Sequence, residues 1–296
     1  MFAGTESKRL RNFFKYSAIG RILLIPHRLL LALASLCQPF FEAVRWTFRS
    51  RELYNFTYDL SDLNQQYLAS FIAVVSGHEP AEIERYCAEL DGDERLKAHI
   101  RAATLASLDR YNSDAEPRFG RRLGWYALLR ATKPRVVVET GVDKGLGTCL
   151  IAAALMRNQA EGYPGLFYAT DNNPKSGNLF SGAYRDFGRV LYGDSVEMLG
   201  TIKDEVDIFI HDSDHRAEYE MREFLAIEKK LVPNAIVLSD NANETNKLLE
   251  FARRIGKTFL FFQDQPKNHW WRGDGIGAAF TPGAKTVFGR HGEERP

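Results

Sequence analysis

The chain has 296 residues, of which 45% are hydrophobic and 26% charged, with a formal net charge of +1. These values are ordinary for a soluble globular protein and exclude the disordered, collagen-like and disulfide-rich classes. The length allows one α/β domain and an additional module of about 100 residues. Cys37, Cys87 and Cys149 are widely spaced and form no CxxC pattern, so we predict reduced, intracellular thiols and no zinc site.

The first 52 residues are predicted to form a basic, apolar arm. Residues 1–51 hold nine Lys or Arg against two Glu, and residues 29–36 are almost entirely apolar. This composition is typical of a helix that lies on a membrane surface. Packing of the apolar face on the rest of the protein, or on a second copy in a homo-oligomer, is the alternative. The basic residues are Lys8, Arg9, Arg11, Lys15, Arg21, Arg28, Arg45, Arg49 and Arg51.

A membrane-spanning helix is not predicted for this arm, because the sequence Pro26-His27-Arg28 interrupts the apolar run. The longer apolar piece is shorter than the roughly 20 residues that a bilayer requires. We therefore expect a cytoplasmic protein, located at the inner face of the membrane if the arm binds lipid. No nucleic-acid partner is expected.

Residues 53–114 are predicted to form helices that serve as a cap or an oligomerisation region. Apolar residues recur at helical spacing over residues 63–75 and 96–108. A shorter helix over residues 81–90 begins after Pro80 and ends at Asp91-Gly92.

From residue 115 onward, strand-like apolar runs alternate with helical stretches. This alternation predicts a parallel β-sheet with helices on both faces. The last two runs have no helix of useful length between them, so they predict an antiparallel hairpin that closes the sheet. The predicted strands are residues 135–139, 166–170, 189–192, 206–210, 235–239, 258–262 and 276–280.

A glycine-rich turn follows the first predicted strand. Glycine lets the backbone turn sharply and approach a ligand closely, and the helix that follows presents free N–H groups. The turn therefore predicts a nucleotide-like ligand, although such turns also occur for packing reasons. It is neither the dinucleotide GxGxxG motif nor a Walker A loop. Its candidate binding residues are Glu139, Gly141, Gly145, Gly147 and Thr148.

The second and third strands also end in polar residues. Asp171 follows the second strand, where a carboxylate can accept both hydroxyls of a ribose. Capping of the next loop is the alternative role. Asp194 and Ser195 follow the third strand, where their polar groups are placed to meet an adenine edge.

The fourth and fifth strands carry a candidate metal site. Asp212 and His215 follow the fourth strand, and Asp240 and Asn241 follow the fifth. Because neighbouring parallel strands lie about 4.8 Å apart, oxygens of Asp212, Asp240 and Asn241 are expected to converge on one cation. This ligand set suits Mg²⁺, with Ca²⁺ or Mn²⁺ as alternatives. Helix capping, or neutralisation by a basic residue elsewhere, is the alternative explanation.

Over approximately residues 121–280 the chain resembles the class I S-adenosylmethionine-dependent methyltransferases. It looks most like the magnesium-dependent O-methyltransferases of the catechol and caffeoyl-CoA type and the sugar O-methyltransferases of macrolide biosynthesis. The resemblance implies a Rossmann-like sheet of seven strands, with the last antiparallel. It also implies S-adenosylmethionine binding at the glycine turn, Asp171 and Asp194-Ser195, and a metal at Asp212, Asp240 and Asn241.

One residue departs from the catechol pattern and directs the substrate prediction. Three residues after Asp212 those enzymes have a lysine, whereas this chain has His215, as in the sugar-modifying relatives. The resemblance implies O-methylation of a small molecule or sugar moiety, with His215 accepting the hydroxyl proton. The substrate expected is a sugar hydroxyl on a glycolipid or polyketide. Alternatives are a metal-dependent hydroxylase on the same scaffold and a non-catalytic cofactor-binding assembly subunit.

Overall fold

The computed structural model describes residues 3–283, 285–292 and 296, with the backbone alone for residues 3–7, 9 and 10. Residues 1 and 2 of the predicted arm, and residues 284 and 293–295 of the predicted α/β segment from residue 115 onward, lie outside the described residues. The side chain of Arg9 also lies outside them. The chain divides into two compact units. The first comprises Met1–Ser50 and Asn268–Trp271, and the second comprises Arg51–Lys267 and Arg272–Pro296.

The first unit is built from helices α1 (Ala3–Tyr16), α2 (Ala18–Leu23) and α3 (Ile25–Arg49). Trp46 of α3 packs edge-on against Trp270, with ring centroids 5.4 Å apart. The 25 residues of α3 make a helix about 37 Å long at about 1.5 Å per residue.

The length of this apolar helix corrects one expectation. Pro26 lies in the first turn of α3, where proline is tolerated, so α3 continues through His27 and Arg28, and the break in the apolar run lies at Leu24 between α2 and α3. By length and composition alone, Ala18–Arg49 is apolar enough to cross a membrane, and only 6% of its apolar window is buried.

The second unit begins with α4 (Asp62–Ser76), α5 (Pro80–Asp91) and α6 (Glu94–Ala106). The helix ends follow the local sequence: the Ser61 side chain caps the start of α4, and Gly77 ends it in a left-handed conformation. Helices α4 and α5 pack against α7 (Arg122–Thr132), which leads into the sheet. A domain boundary at residue 114 stays a prediction.

The remaining elements alternate as the sequence predicts. They are β1 (Val136–Thr140), α8 (Leu146–Ala160), β2 (Leu166–Asp171), β3 (Gly188–Tyr192), α9 (Ser195–Thr201), β4 (Val206–His211), α10 (Ala217–Ile227), β5 (Leu231–Asp240), α11 (Lys247–Arg254), β6 (Thr258–Gln263) and β7 (Gly275–Phe280).

The seven strands form one sheet in the order β3-β2-β1-β4-β5-β7-β6. The first five of these strands are parallel to one another, and β7 runs antiparallel to both β5 and β6. This arrangement confirms the predicted Rossmann-like α/β fold with an antiparallel last strand. Every residue of β1, β4 and β7 is buried, as expected for a sheet covered on both faces.

The sheet register brings the strand ends together. Thr140 at the end of β1 is paired with Thr170 of β2 on one side and His211 of β4 on the other. His211 in turn is paired with Ser239 of β5. The polar residues that follow these positions therefore emerge at one edge of the sheet, where ligands bind in open α/β folds.

Candidate active site

The glycine turn after β1 is tightly packed against the end of β4. Gly141 has φ 85°, and a Cβ at this position would overlap the carbonyl oxygen of Asp212. Gly145 has φ 96° and starts α8. Both positions therefore require glycine for a backbone reason. The turn and the Asp212 segment are in direct contact, so a ligand bound to one lies beside the other.

Glu139 lies beneath this turn and is only 1% exposed. Thr148 Oγ1 donates a hydrogen bond of 2.6 Å to Glu139 Oε2. A Cβ at Gly147 would overlap Glu139 Oε1, so the absence of a side chain there makes room for the carboxyl group. Burial raises the pKa of Glu139 to about 8, although the hydrogen bond from Thr148 opposes the rise.

Asp171 holds the glycine turn in place. Its Oδ2 accepts hydrogen bonds of 3.0 Å from the backbone N–H groups of Val142 and Asp143. Its Oδ1 accepts from the N–H of Asn173 at 2.8 Å. These bonds fix the carboxylate at the carboxyl end of β2, beside the turn. Ribose binding by Asp171 stays a prediction.

Asp194 and Ser195 both make structural contacts at the start of α9. Asp194 caps the helix by accepting from the N–H groups of Val196 and Glu197, and it also accepts from the Tyr219 hydroxyl at 2.9 Å. Ser195 is buried and donates to Glu223. The proposed adenine contacts of this pair stay predictions.

Glu223 of α10 is a site residue that the sequence reasoning missed. It is fully buried and accepts hydrogen bonds from Thr140 Oγ1 at 2.7 Å and from Ser213 Oγ at 2.7 Å, as well as from Ser195. His211 Nδ1 lies 2.6 Å from Glu223 Oε2. Burial would raise the pKa of Glu223, but His211 and the hydroxyl donors more than offset this and lower it. One carboxylate thus joins the ends of β1 and β4 to helices α9 and α10.

A signal for Glu223 was present in the sequence. Within α10, the buried residues Glu220, Glu223, Phe224 and Ile227 recur at the spacing of one helical face. An acid in the apolar stripe of a helix requires a partner, because an unpaired buried charge is costly.

The structure brings three of the predicted polar residues together at the carboxyl edge. Asp212, His215 and Asp240 each offer one ligand atom, and these atoms lie within 4.8 Å of one another. His215 Nε2 is 3.9 Å from Asp212 Oδ1. Burial lowers the pKa of His215, although the nearby Asp240 opposes the shift, so the imidazole is neutral at pH 7 and has a free lone pair.

Two of the three predicted metal ligands, Asp240 and Asn241, are, however, bonded to a buried arginine. Arg121 Nε and Nη2 donate to both oxygens of Asp240, and Nη2 also donates to Asn241 Oδ1 at 2.9 Å. On its other side, Nη1 donates to the Tyr58 hydroxyl at 2.9 Å and to Asp264 Oδ2 at 3.0 Å. Arg121 was not predicted as a site residue. Its only signal was an Arg-Arg pair at the start of the helix that precedes the first strand.

A second arginine meets the other acid of the cluster. Arg122 Nη2 donates to Asp212 Oδ2 at 3.0 Å. Burial and the neighbouring Asp240 carboxylate raise the pKa of Asp212 well above its usual range. Burial opposes ionisation of Asp240 as well, but Arg121 overrides it and lowers the pKa of Asp240. Burial likewise raises the pKa of Asp264. Arginines and protons together therefore neutralise the acids of this cluster.

This arrangement does not fit the predicted Mg²⁺ site. At a separation of about 4 Å and an effective dielectric constant of about 20, one guanidinium repels a divalent cation by about 8 kcal/mol. Arg121 and Arg122 are bonded to the two carboxylates that would hold the metal, so both guanidinium groups oppose the binding of a cation there. Asn241 and both oxygens of Asp240 already serve as acceptors for Arg121.

Comparison with known proteins identifies the central part of the chain. Residues 138–242 match a family model described as a methyltransferase domain. The match extends from β1 to the end of β5, and so includes the glycine turn, the acidic cluster and His215. No curated protein matches the chain.

Solved structures with similar folds include three from bacteria. Cofactor-bound Rv0187 from MTB is 22% identical, with a TM-score of 0.48 over 66% of this chain and 94% of the other. The O-methyltransferase TomG from Streptomyces achromogenes, in complex with SAM, is 17% identical, with a TM-score of 0.46 over 64% and 91%. An O-methyltransferase from Bacillus cereus, in complex with SAH, is 16% identical, with a TM-score of 0.42 over 73% and 97%.

The family match extends over the strands whose ends form the candidate site. Residues 138–242 are therefore similar to a methyltransferase domain, in agreement with the resemblance that the sequence indicated.

Proposed function

We propose that the chain transfers a methyl group from S-adenosylmethionine to a hydroxyl of a small molecule or sugar moiety. The observation that carries this proposal is the direct contact between the glycine turn at Gly141 and the segment that bears Asp212 and His215. A cofactor bound at the turn would have its reactive end next to a neutral histidine. A hydroxyl substrate between them would have both a methyl donor and a proton acceptor.

The proposed reaction is a single displacement. The hydroxyl oxygen attacks the sulfonium methyl, the new C–O bond forms as the C–S bond breaks, and the sulfur keeps the electron pair as S-adenosylhomocysteine. His215 takes the hydroxyl proton, which its lowered pKa permits at neutral pH because the imidazole is unprotonated. Because Asp240 and Asn241 are bonded to Arg121, and Asp212 to Arg122, no step is assigned to Mg²⁺.

The base assignment is tested with His215→Ala. We expect S-adenosylhomocysteine to bind the wild type and the variant within about threefold by calorimetry, because His215 is outside the glycine turn. Transfer of labelled methyl groups to a panel of sugar glycosides should fall at least about 100-fold in kcat, the usual contribution of a general base.

A matched control for this experiment is His291→Ala. The His291 ring packs edge-on against Tyr163, away from the site, so this variant should retain wild-type turnover. Failure of the wild type to bind S-adenosylhomocysteine would contradict methyl transfer itself. An unchanged kcat in His215→Ala would contradict only the assignment of the base.

We further propose that the first unit binds the surface of an anionic bilayer. The large apolar side chains of α3 are exposed, including Leu30 at 65%, Phe41 at 68% and Phe48 at 85%. At about 100° per residue, all polar residues of α3 except Thr47 fall within about 100° of the helix circumference. They are His27, Arg28, Ser35, Gln38, Glu42, Arg45 and Arg49.

A wide apolar face beside a narrow polar stripe containing three arginines and one glutamate suits a helix that lies in the lipid headgroup region. Membrane binding would place the enzyme near lipid-linked hydroxyl substrates. Cosedimentation with lipid vesicles is the measurement that tests it.

A further inference from the structure

We propose that Arg121 permanently occupies the position of the divalent metal, so that the fixed cation of this site is a guanidinium. The turnover measurements that test this inference rest on the proposed function, whereas the Mn²⁺ binding measurements do not. Its basis is the set of bonds that Arg121 makes to the residues expected to hold Mg²⁺.

The guanidinium takes up the acceptors that a metal would need. Its Nε and Nη2 bond to the two oxygens of Asp240 in the side-by-side geometry that arginine and carboxylate favour. Nη2 also bonds to Asn241 Oδ1. Two of the three predicted ligand residues are therefore engaged by one side chain.

The other side of Arg121 shows why it would not move aside for a metal. Nη1 donates to both the Tyr58 hydroxyl and Asp264 Oδ2, and Tyr58 itself donates to Asp264 at 2.7 Å. Tyr58 is 3% exposed and Asp264 is 0% exposed. Displacing Arg121 would leave the buried Tyr58 hydroxyl and Asp264 carboxyl group without the hydrogen bonds that Nη1 donates, which is unfavourable.

A guanidinium and a metal ion differ in what they do for a hydroxyl substrate. Arginine donates hydrogen bonds to a substrate oxygen, whereas a metal ion coordinates that oxygen directly through a lone pair. Arg121 therefore acts as a positioning residue: it fixes Asp240 and Asn241 beside His215, and the hydroxyl proton leaves through the imidazole alone. Methyl transfer by this chain should consequently be independent of divalent cations.

Mn²⁺ binding, followed by electron paramagnetic resonance, tests the proposal directly. The full-length wild type should bind Mn²⁺ no more tightly than millimolar. Arg121→Ala frees Asp240 and Asn241 and should bind Mn²⁺ at least 30-fold more tightly. The double variant Arg121→Ala/Asp240→Asn should lose that gain. Arg130→Ala is the matched control, because Arg130 is a buried arginine paired with Glu89 and Glu161 outside the site, and it should gain nothing.

The wild-type measurements decide the question even if Arg121→Ala does not fold. Wild-type binding of Mn²⁺ at micromolar concentration would overturn the proposal, as would loss of methyl transfer in EDTA with recovery on adding Mg²⁺. Turnover that is unchanged within about twofold in EDTA supports it. If the wild type fails to bind S-adenosylhomocysteine, the proposed function fails, while the Mn²⁺ result still decides the role of Arg121.

Discussion

At the scale of single residues, the site depends on carboxyl groups whose ionisation is set by burial. Glu139 illustrates the effect: it is buried beneath the glycine turn with one hydroxyl donor, and its pKa is raised to about 8. Asp240, which is equally buried, has a lowered pKa because Arg121 lies against it. The difference between them is the presence of a paired cation.

The raised pKa of Glu139 predicts a specific pH dependence of stability in the absence of cofactor. Between about pH 4.5 and 8, the folded state keeps the proton while the unfolded chain has lost it. Raising the pH therefore destabilises the fold, by up to about 1.4 kcal/mol per pH unit. Glu139→Gln removes this contribution, so its free energy of unfolding should vary less over that range.

Urea unfolding at several pH values measures the effect. Glu197→Gln is the matched control, because Glu197 is exposed on α9 and its removal should leave the wild-type pH profile intact. If the profiles of the wild type and Glu139→Gln are parallel from pH 5 to 8, then Glu139 is ionised in the folded protein.

At the scale of secondary-structure elements, α10 is attached to the sheet by the buried Glu223. This carboxylate contacts residues from β1, from the segment after β4 and from α9. Glu220 of the same helix accepts hydrogen bonds from Ser239 of β5 at 2.8 Å and from Thr245. Two glutamates on one helical face thus hold four strand and helix ends in register at the carboxyl edge.

Substitution of Glu223 tests whether this buried carboxylate stabilises the attachment of α10 to the sheet. We expect Glu223→Ala to lower the free energy of unfolding by about 3–5 kcal/mol, because buried hydroxyl groups and His211 lose their acceptor. Glu218→Ala removes an exposed glutamate from the same helix and should cost less than about 0.5 kcal/mol. Equal losses in the two variants, measured by chemical denaturation, would contradict the role of Glu223.

At the scale of the whole molecule, the chain consists of two compact units that expose different chemistry. The unit of Arg51–Lys267 and Arg272–Pro296 contains the sheet and the candidate site. The unit that includes α3 exposes apolar side chains in a number unusual for a helix in contact with water. This contrast is the basis for the proposal that the chain works next to a bilayer.

Two matched variants of α3 test the bilayer proposal in full-length protein. Leu30→Glu places a charge on the apolar face, whereas Gln38→Glu adds the same charge to the polar stripe. With vesicles of phosphatidylcholine and phosphatidylglycerol, we expect Leu30→Glu to reduce cosedimentation at least tenfold and Gln38→Glu to reduce it less than threefold. Release of the bound wild type by alkaline carbonate would agree with surface binding. Absence of vesicle binding, or resistance to carbonate, would contradict it.

Much of the fold could be predicted because its signals are local. Buried runs such as residues 208–210 of β4 are apolar throughout, and each ends at a polar residue or a glycine where the chain leaves the sheet. Parallel strands place such ends at one edge, so the proximity of Gly141, Asp212 and Asp240 followed from the pattern alone. Likewise, the lack of a helix between the last two strands predicted the antiparallel hairpin, which the structure confirms.

What the sequence by itself determined was the order of elements, the sheet edge and the chemical type of the residues placed there. Only the tertiary structure decided which charges meet: Arg121 with Asp240 across 119 positions of the chain, Arg121 with Asp264 across 143, and Thr140 with Glu223 across 83. The physical reason is that helical and strand periodicities act over a few residues. The pairing of buried charges instead depends on packing between distant segments, where one arginine is enough to change an apparent metal site into an ion pair.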